Sequence, residues 1–438
     1  MLSFLRKIIP LDGALRVSYH YMRGLLAYWM SGNPAKDMIV IGVTGTKGKT
    51  TTTNIIAQGL SAAGHKVAMF STVNMSINGK TVENNMKMTT PSPFVLWQFI
   101  AEAKQQGCKY LVLETSSHAI FYHRVHGLHY DVAVLTNIAQ DHLDLHKTMQ
   151  NYVQTKLQMF KNLYKYGIHK GVKKVSVVNI DHEYASEFLS KEIVTDNLYT
   201  TGFSSAAQVR AENIVRNNDS TEFDIRIPSN IFHLKTRLFG DFNISNILCA
   251  VAVLMSQKVD IADIQRIIAD FHTVPGRLEE IPNQKNAKIF VDYAHTEDSL
   301  KNVIETVKKI GGVKRTILVF GATGDRDQSK RPKMGMVADQ LADVVLLTDD
   351  DTYSEDSLSI IRQVTEGIKR KEGENFWIIP SRNDAIRTAL IMLRPGDALI
   401  VAGKGAETVQ VTQTGPVPWN DRKMIEQILA EIETQILL

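Results

Sequence analysis

Apolar runs of strand length alternate with longer amphipathic stretches along most of this 438-residue chain. After Pro34, runs at 38–43, 66–71, 108–114, 132–138 and 173–180 predict strands, and helices are expected near 49–63, 93–106 and 148–164. Such alternation implies a mostly parallel sheet with helices on both faces. Between 197 and 239 the texture changes to short alternating stretches, "TEFDIRI" and "IFHLKTRLFG", which predict an antiparallel β addition to the same domain. The helix "NISNILCAVAVLMSQ" follows. A second series begins near 275, with "KIFVDYA", "RTILVFG", "DVVLLTD", "NFWIIP" and "DALIVAG" as strands. Pro275 and Gly276 interrupt the polar stretch "TVPGRLEEIPNQKNAK" and mark the hinge. The expected fold is α/β. It has a central parallel-sheet domain at 37–275, a C-terminal Rossmann-like α/β domain at 276–438 and a short helical segment at 1–36.

That N-terminal segment has its own pattern. From Ala14 to Met30, the residues Arg16, His20 and Arg23 interrupt Leu15, Val17, Tyr21, Leu25, Leu26 and Trp29, which predicts an amphipathic helix. Packing on the next domain is the simpler reading. Weak contact of residues 1–36 with a membrane interface is the sharper one, since Arg, Tyr and Trp suit that environment. No apolar run approaches the ~20 residues needed to span a bilayer. A net charge of +4 implies no nucleic-acid partner. Two cysteines, Cys108 and Cys249, cannot form a disulfide framework or a four-ligand zinc site, and point to a reducing cytoplasm. A monomer is expected.

The chemistry is concentrated at strand ends. The run Gly45-Thr46-Lys47-Gly48-Lys49-Thr50-Thr51 follows the first strand and opens a helix. Its glycines permit a turn and close backbone approach, amides and the helix N-terminus face phosphate, and Lys49 neutralises charge, as in a P-loop ATPase. Thr50 is placed to ligate Mg²⁺. Glu114 ends a second apolar strand, where a carboxylate suits Mg²⁺ on nucleotide phosphates, and Ser116, Ser117, His118 and Arg124 follow it. At a third strand end Asn137, Asp141, His142, Asp144 and His146 crowd together, which argues for one polynuclear Mg²⁺ site. Lys156 lies mid-helix, where a solvated side chain is the ordinary reading.

Together these stretches resemble the Mur ligase family of ATP-dependent amide-forming enzymes. The likeness covers roughly 37–430 and rests on G-T-x-G-K-T-T, E-x-S-S-H, T-N-x-x-x-D-H-L-D, Gly240-Asp241-Phe242-Asn243-Ile244-Ser245-Asn246, Pro275-Gly276-Arg277 and "DYAHTEDSL". "GATGDRDQSKRP" and "GKGAE" bring it nearest to the tripeptide synthetase branch, the MurE type. The resemblance implies ATP and Mg²⁺ as cofactors, a UDP-muramoyl-dipeptide-like acceptor and a free amino acid as partners, and an acyl phosphate on the way to the amide. It implies that Lys49, Glu114, His142 and a carbamylated Lys156 are catalytic, with Thr50, Glu114, His142 and Lys156 serving two Mg²⁺ ions. Gly45, Thr46, Lys47, Gly48, Lys49, Thr50 and Thr51 would hold phosphate, and Asn243, Asn246, Arg277 and Asp292 the adenosine. Thr89, Thr90, Ser116 and Arg124 would meet the acceptor, and Arg326, Asp350, Asp351, Gly403 and Glu407 the amino acid.

The departures bear on substrates. The family's tripeptide synthetases carry a uridine-diphosphate-gripping domain ahead of the ATPase domain, whereas here that domain starts at 37, so affinity for the nucleotide part is expected to be poor. Met88 stands where Asn is usual, Tyr122 where Gln is usual, and Ala406 replaces His in G-K-G-H-E. The family's D-N-P-R has become Asp350-Asp351-Thr352-Tyr353. Exchanging a cation for an anion predicts a basic L-amino acid, lysine first, over meso-diaminopimelate, unless Arg331 or Lys333 supplies the charge. The rival readings are a related ligase acting on another carboxylate and a P-loop NTPase switch. The second has no use for Arg326 or Glu407.

Overall fold

The computed structural model describes residues 12–86, 88–164 and 171–436. Residues 1–11, part of the N-terminal segment read above, lie outside them. The chain divides into two compact units. One holds the residues up to Val215 with Glu222–Thr236 and Asp241–His272; the other holds Arg216–Thr221, Arg237–Gly240 and Thr273 onward.

The first unit is built on an eleven-stranded sheet. Its strands are β1 (Ile39–Thr44), β2 (Val67–Phe70), β3 (Asn74–Ile77), β4 (Lys80–Glu83), β5 (Tyr110–Glu114), β6 (Val132–Leu135), β7 (Val175–Asn179), β8 (Asn197–Gly202), β9 (Val209–Arg216), β10 (Thr221–Ile227) and β11 (Asn230–Thr236). They lie in the order β11-β10-β9-β8-β7-β6-β1-β5-β2-β3-β4. β1 pairs parallel with both β5 and β6, placing Val43 opposite Glu114 and Thr44 opposite Leu135. The central strands β1, β5, β6 and β7 are buried at every position, as helices on both faces require. A buried ion pair ties them: Asp131 accepts from the Val40 amide at 2.9 Å and from Lys174 Nζ at 2.7 Å.

The alternating region departs from its expected direction where it begins. β8 pairs parallel with β7, and β9 parallel with β8. Alternation reports only that one face is exposed. Direction is set by the connection, and the β7–β8 crossover, which includes the helix Ala185–Phe188, is long enough to bring the chain back the same way. The β3–β4 hairpin was not legible, because all four residues of β4 are exposed. The predicted N-terminal helix runs Ala14–Ser31, ends at Gly32 in the left-handed region, and packs on the helix Pro93–Gln105.

The second unit has a six-stranded sheet of β12 (Glu279–Glu280), β13 (Lys288–Asp292), β14 (Arg315–Phe320), β15 (Val344–Leu347), β16 (Phe376–Ile378) and β17 (Asp397–Ala402), ordered β12-β13-β17-β14-β15-β16. It is parallel except for β12. A hairpin, β18 (Val409–Thr412) and β19 (Gly415–Pro418), stands apart from it. Successive residues of each strand feed opposite cores. Phe290, Leu318, Val345 and Ile400 meet the helices Glu297–Lys308 and Lys330–Leu341. Ile289, Val319, Leu346 and Val401 meet Arg382–Met392 and Asp421–Ile436.

Between those last two helices Arg382 and Asp421 form a fully buried bidentate pair at 2.8 and 2.7 Å. Asp421→Ala leaves a guanidinium in the core and should cost about 3–5 kcal/mol. Lys301→Ala, which removes an exposed pair with Glu305, should cost no more than about 0.5 kcal/mol. Urea unfolding of the two variants measures the contrast; equal midpoints would contradict it.

Candidate active site

In both units the chemistry-bearing residues gather at the C-terminal ends of parallel strands. In the first unit, β1 runs into the loop 45–48 and the helix Lys49–Ala62. Gly45 has φ 148° and Gly48 φ 81°. A Cβ on Gly45 would lie 2.0 Å from Thr136 Oγ1, and one on Gly48 2.0 Å from Asn246 Oδ1, so neither position has room for a side chain.

The end of β6 braces this loop. Asn137 Oδ1 accepts from the Lys47 amide at 3.0 Å, while Thr136 Oγ1 and Asn137 Nδ2 donate to the Lys47 carbonyl at 2.6 and 3.0 Å. Thr46 Oγ1 meets Tyr152 OH at 3.1 Å and accepts from the Ala139 amide. Asn137, grouped by sequence with metal-type residues, is thus a brace of the loop. Thr136 and Tyr152 were missed in that role, since brace and ligand use the same side-chain types.

Two lysines share one acceptor. Lys49 Nζ donates to the carbonyls of Thr46 at 2.8 Å and Gly45 at 3.1 Å, and Lys156 Nζ donates to Gly45 at 2.8 Å. Lys156 is buried, not solvated, and lies 4.6 Å from the centroid of the Tyr152 ring. Burial first, and Lys49 second, hold its ammonium well below the usual lysine range. His142 stands near this pair in a left-handed backbone conformation, 3.5 Å from Asp141. Burial lowers its pKa, with Lys49 and Lys156 adding to the effect, which leaves a neutral imidazole able to act as a ligand. The His142 ring packs edge-on to His118 at 4.6 Å.

Glu114 ends β5 and accepts from the Thr72 amide at 2.8 Å and Thr72 Oγ1 at 2.9 Å. Thr72 Oγ1 also lies 3.0 Å from Thr89 Oγ1. Thr90 is fully buried; its hydroxyl donates to the Glu114 carbonyl and accepts from the Ser116 amide, and its carbonyl accepts from Arg124 at 3.1 Å. Ser116 caps the short helix Ser117–Phe121. Asn246 donates to Asn243 at 3.2 Å on the helix Asp241–Ser256. Among the described residues no three His, Cys, Asp or Glu side chains cluster as a protein-only metal site would need. Mg²⁺ makes a lesser demand, taking one or two protein oxygens and completing its shell with phosphate and water. Thr50 beside the loop and Glu114 on the strand paired with β1 fit that demand.

The second unit holds the remaining residues. Arg277 lies over the Tyr293 ring at 4.7 Å, and its buried Nε has no hydrogen-bond partner among the described residues. Asp292 accepts from the Leu278 amide at 2.6 Å. Gly403, at φ 113°, follows β17 and donates to the Asp292 carbonyl. Lys404, buried and not singled out from the sequence, is the centre of a charge cluster. Its Nζ lies 2.7 Å from Asp351, 2.8 Å from Glu407 and 3.7 Å from Asp350. Burial opposes charging it, but the three carboxylates outweigh burial and raise its pKa. Burial likewise opposes the charge of Asp350, yet Lys404 and Arg382 carry its pKa below the usual value.

This geometry corrects the charge argument drawn from the sequence. The charge of Asp351 is spent on Lys404, and Asp351 also accepts from the Val411 amide at 2.8 Å. Nor is the loop without a cation, because exposed Arg326 stands 5.7 Å over the Tyr353 ring. Arg331 is not available: it is fully buried in a bidentate pair with Glu355 at 2.7 and 2.9 Å and also donates to Thr323 and Gln363. Lys333 is 3.9 Å from Glu297.

A phosphate loop braced from a neighbouring strand in one α/β unit, and a buried ionic cluster at a strand end in the other, are the outline of a nucleotide-dependent ligase. Residues 43–254 match the Mur ligase middle domain and residues 276–405 the family described as Mur ligase, glutamate ligase domain. UDP-N-acetylmuramoyl-L-alanyl-D-glutamate–2,6-diaminopimelate ligase of Clostridium botulinum is 35% identical over 403 residues, covering 92% of this chain and 80% of the relative. The ligase of the same name from Bacillus cereus is 37% identical over 407 residues, covering 92% and 81%. A solved structure of a ligase of that name aligns with TM-score 0.67 at 26% identity, covering 94% of this chain and 83% of the other. Folylpolyglutamate synthase of Mycobacterium tuberculosis, at 16% identity and TM-score 0.70, shares the fold. The chain belongs to the Mur ligase family and is an ATP-dependent amide-forming ligase.

Burial lowers the pKa values of His118, His146 and His182 to about 4 from 6.5. Between those values the unfolded chain binds more protons than the folded one, so stability is complete above about 6.5 and falls as pH drops toward 4. The Tm of nucleotide-free protein should decline over that window, less steeply in His182→Gln, which removes one of the three imidazoles. A Tm independent of pH there would contradict the assignment.

Proposed function

We propose that this ligase joins the amino group of a free amino acid to a carboxylate of a UDP-N-acetylmuramoyl-L-Ala-D-Glu-type acceptor. The observation that carries the reading is the loop 45–48, braced by Thr136 and Asn137 and flanked by Lys49 and Lys156, in a chain whose relatives bear that activity in their names. A carboxylate oxygen of the acceptor attacks the γ-phosphorus of ATP and the bond to ADP breaks. The amine nitrogen then attacks the acyl carbon, phosphate leaves with the C–O electron pair, and the nitrogen sheds a proton.

Residues 45–51 present amides and the Lys49 ammonium to the phosphates, and Asn243, Asn246, Arg277 and Asp292 serve the adenosine. Thr50 with Glu114, and His142 with Lys156, would hold Mg²⁺, which when bound offsets charge on the transferring phosphoryl group. Suppression of its charge supports a carbamylated Lys156: a neutral buried amine can add CO₂, and the carbamate replaces a cation that would repel metal with anionic oxygens. Thr89, Thr90, Ser116 and Arg124 face the acceptor, with Thr90 tying Ser116 to Arg124 and Thr72 holding Thr89. Arg326, Asp350, Gly403 and Glu407 serve the amino acid.

For that amino acid the reading is a basic one, lysine first. With Asp351 matched by Lys404, the carboxylates of Asp350 and Glu407 remain in excess beside that one ammonium and favour a ligand with a net positive charge. A second reading, meso-diaminopimelate, is favoured by Arg326 over Tyr353, which could meet a distal carboxylate, and by the names of the relatives.

Phosphate release with UDP-muramoyl-dipeptide and a panel of amino acids tests the proposal. Turnover should require both acceptor and amino acid, and release without them would indicate an NTPase switch instead. Lysine should give the higher kcat/KM; preference for diaminopimelate would select the second reading. Lys49→Ala should lower kcat by about 10²–10³ or more, since the loop loses its cation. Lys156→Ala should be equally impaired but partly rescued by formate or acetate; absence of rescue, with full activity of wild type in CO₂-free buffer, would remove the carbamate.

A further inference from the structure

The N-terminal helix Ala14–Ser31 has an inner and an outer face. Its inner face is fixed: Gly24 lies so close to the His123 carbonyl that a Cβ would approach within 2.4 Å, Tyr28 packs on Trp97 at 5.6 Å, and Tyr21 stands edge-on to His123 and His126 at 5.1 and 5.2 Å. This anchoring sets which residues face out. They are Leu15, Tyr19, Met22, Leu26 and Trp29, spaced four, three, four and three apart, so they form one continuous stripe. Leu15 is 78% and Trp29 79% exposed. Phe94 and Val95, exposed on the adjoining helix, add to the apolar surface beside it.

One edge of the stripe is cationic. Arg16 lies over Tyr122 at 5.9 Å, and Arg23 over Tyr19 at 5.6 Å and Phe94 at 5.8 Å. The helix contains no carboxylate, and residues 1–36 carry Arg6, Lys7, Arg16, Arg23 and Lys36 against Asp12 alone. Asp12 is itself 3.6 Å from Lys147. No helix of the described residues is long and apolar enough to cross a membrane.

We infer that this face docks the protein on an anionic lipid surface, with the helix lying flat in the headgroup layer. The occupant follows from charge. The same face of a second copy would bring arginines against arginines with no carboxylate to meet them, whereas anionic headgroups supply the missing counter-charge. The aromatic residues fit as well: Trp and Tyr pair an apolar ring with a polar tip, as the interface demands, and arginine stems can cover apolar surface while the guanidinium reaches phosphate.

Sedimentation of the full chain with phosphatidylcholine vesicles, with and without phosphatidylglycerol, tests this. Binding should require the anionic lipid and weaken as salt is raised. The pair Leu26→Ser with Trp29→Ser should abolish it, and Arg16→Gln and Arg23→Gln should each reduce partitioning about fivefold. An unchanged circular dichroism spectrum and Tm would establish that these variants fold. Equal partitioning of wild type and variants, or no sedimentation of wild type with anionic vesicles, overturns the inference. Concentration-dependent dimerisation in solution that the Leu26→Ser and Trp29→Ser pair removes would assign the stripe to a second copy instead.

Discussion

Two lysine side chains converge on the carbonyl of Gly45, and the charge state of the buried one depends on how that crowding is relieved. Lys49 and Lys156 both donate to this one oxygen, Lys156 from a site closed to solvent. Two ammonium ions this close, one of them desolvated, are costly, and the cost falls on the buried one. A lysine pushed toward its neutral form is a nucleophile, whereas an exposed lysine on the same helix would be mainly a cation. The brace from β6 keeps the arrangement in place, because it fixes the loop whose carbonyl both side chains address.

The second unit uses the opposite device. Lys404 is buried among carboxylates and stays charged, and its neighbours Asp350 and Asp351 keep their charge through it. Substituting any one member changes the state of the others, so the wall cannot be read residue by residue. The exchange of Asn for Asp at 351 illustrates this, since the added carboxylate is matched by an ammonium already present rather than offered outward.

Much of the fold was legible in the sequence, because parallel strands buried on both faces are continuous apolar runs and their neighbours carry helical periodicity. The central parallel strands of both units, β1, β2, β5, β6 and β7 in the first and β13 to β17 in the second, were found to within a few residues. Direction at the start of the alternating region was not, since alternation encodes exposure and not connection; nor were β3, β4, β12 and the β18–β19 hairpin, which bury too little to leave a pattern. In the site, Lys49, Glu114 and Thr50 stood out because a phosphate loop and a strand-end carboxylate have fixed spacings. The environment of Lys156 and the pairing of Asp351 did not, because a lysine or aspartate has the same letter whether it is solvated or enclosed. Pairing and burial are properties of residues brought together from afar.

The brace on the phosphate loop has a consequence for how the protein is made. Lys47 is held by a residue 90 positions later, and Lys156 reaches back 111 positions to Gly45. The loop-to-helix turn is local, but its working shape depends on contacts of long sequence separation, whose closure entropy must be met before they return any stabilisation. A chain emerging from the ribosome therefore exposes the glycine-rich segment well before β6 and the helix Met149–Lys161 exist to hold it. The ability to grip phosphate in the finished geometry arrives late, with the closing of the sheet around β1, so that nucleotide recognises a completed domain and not a nascent one.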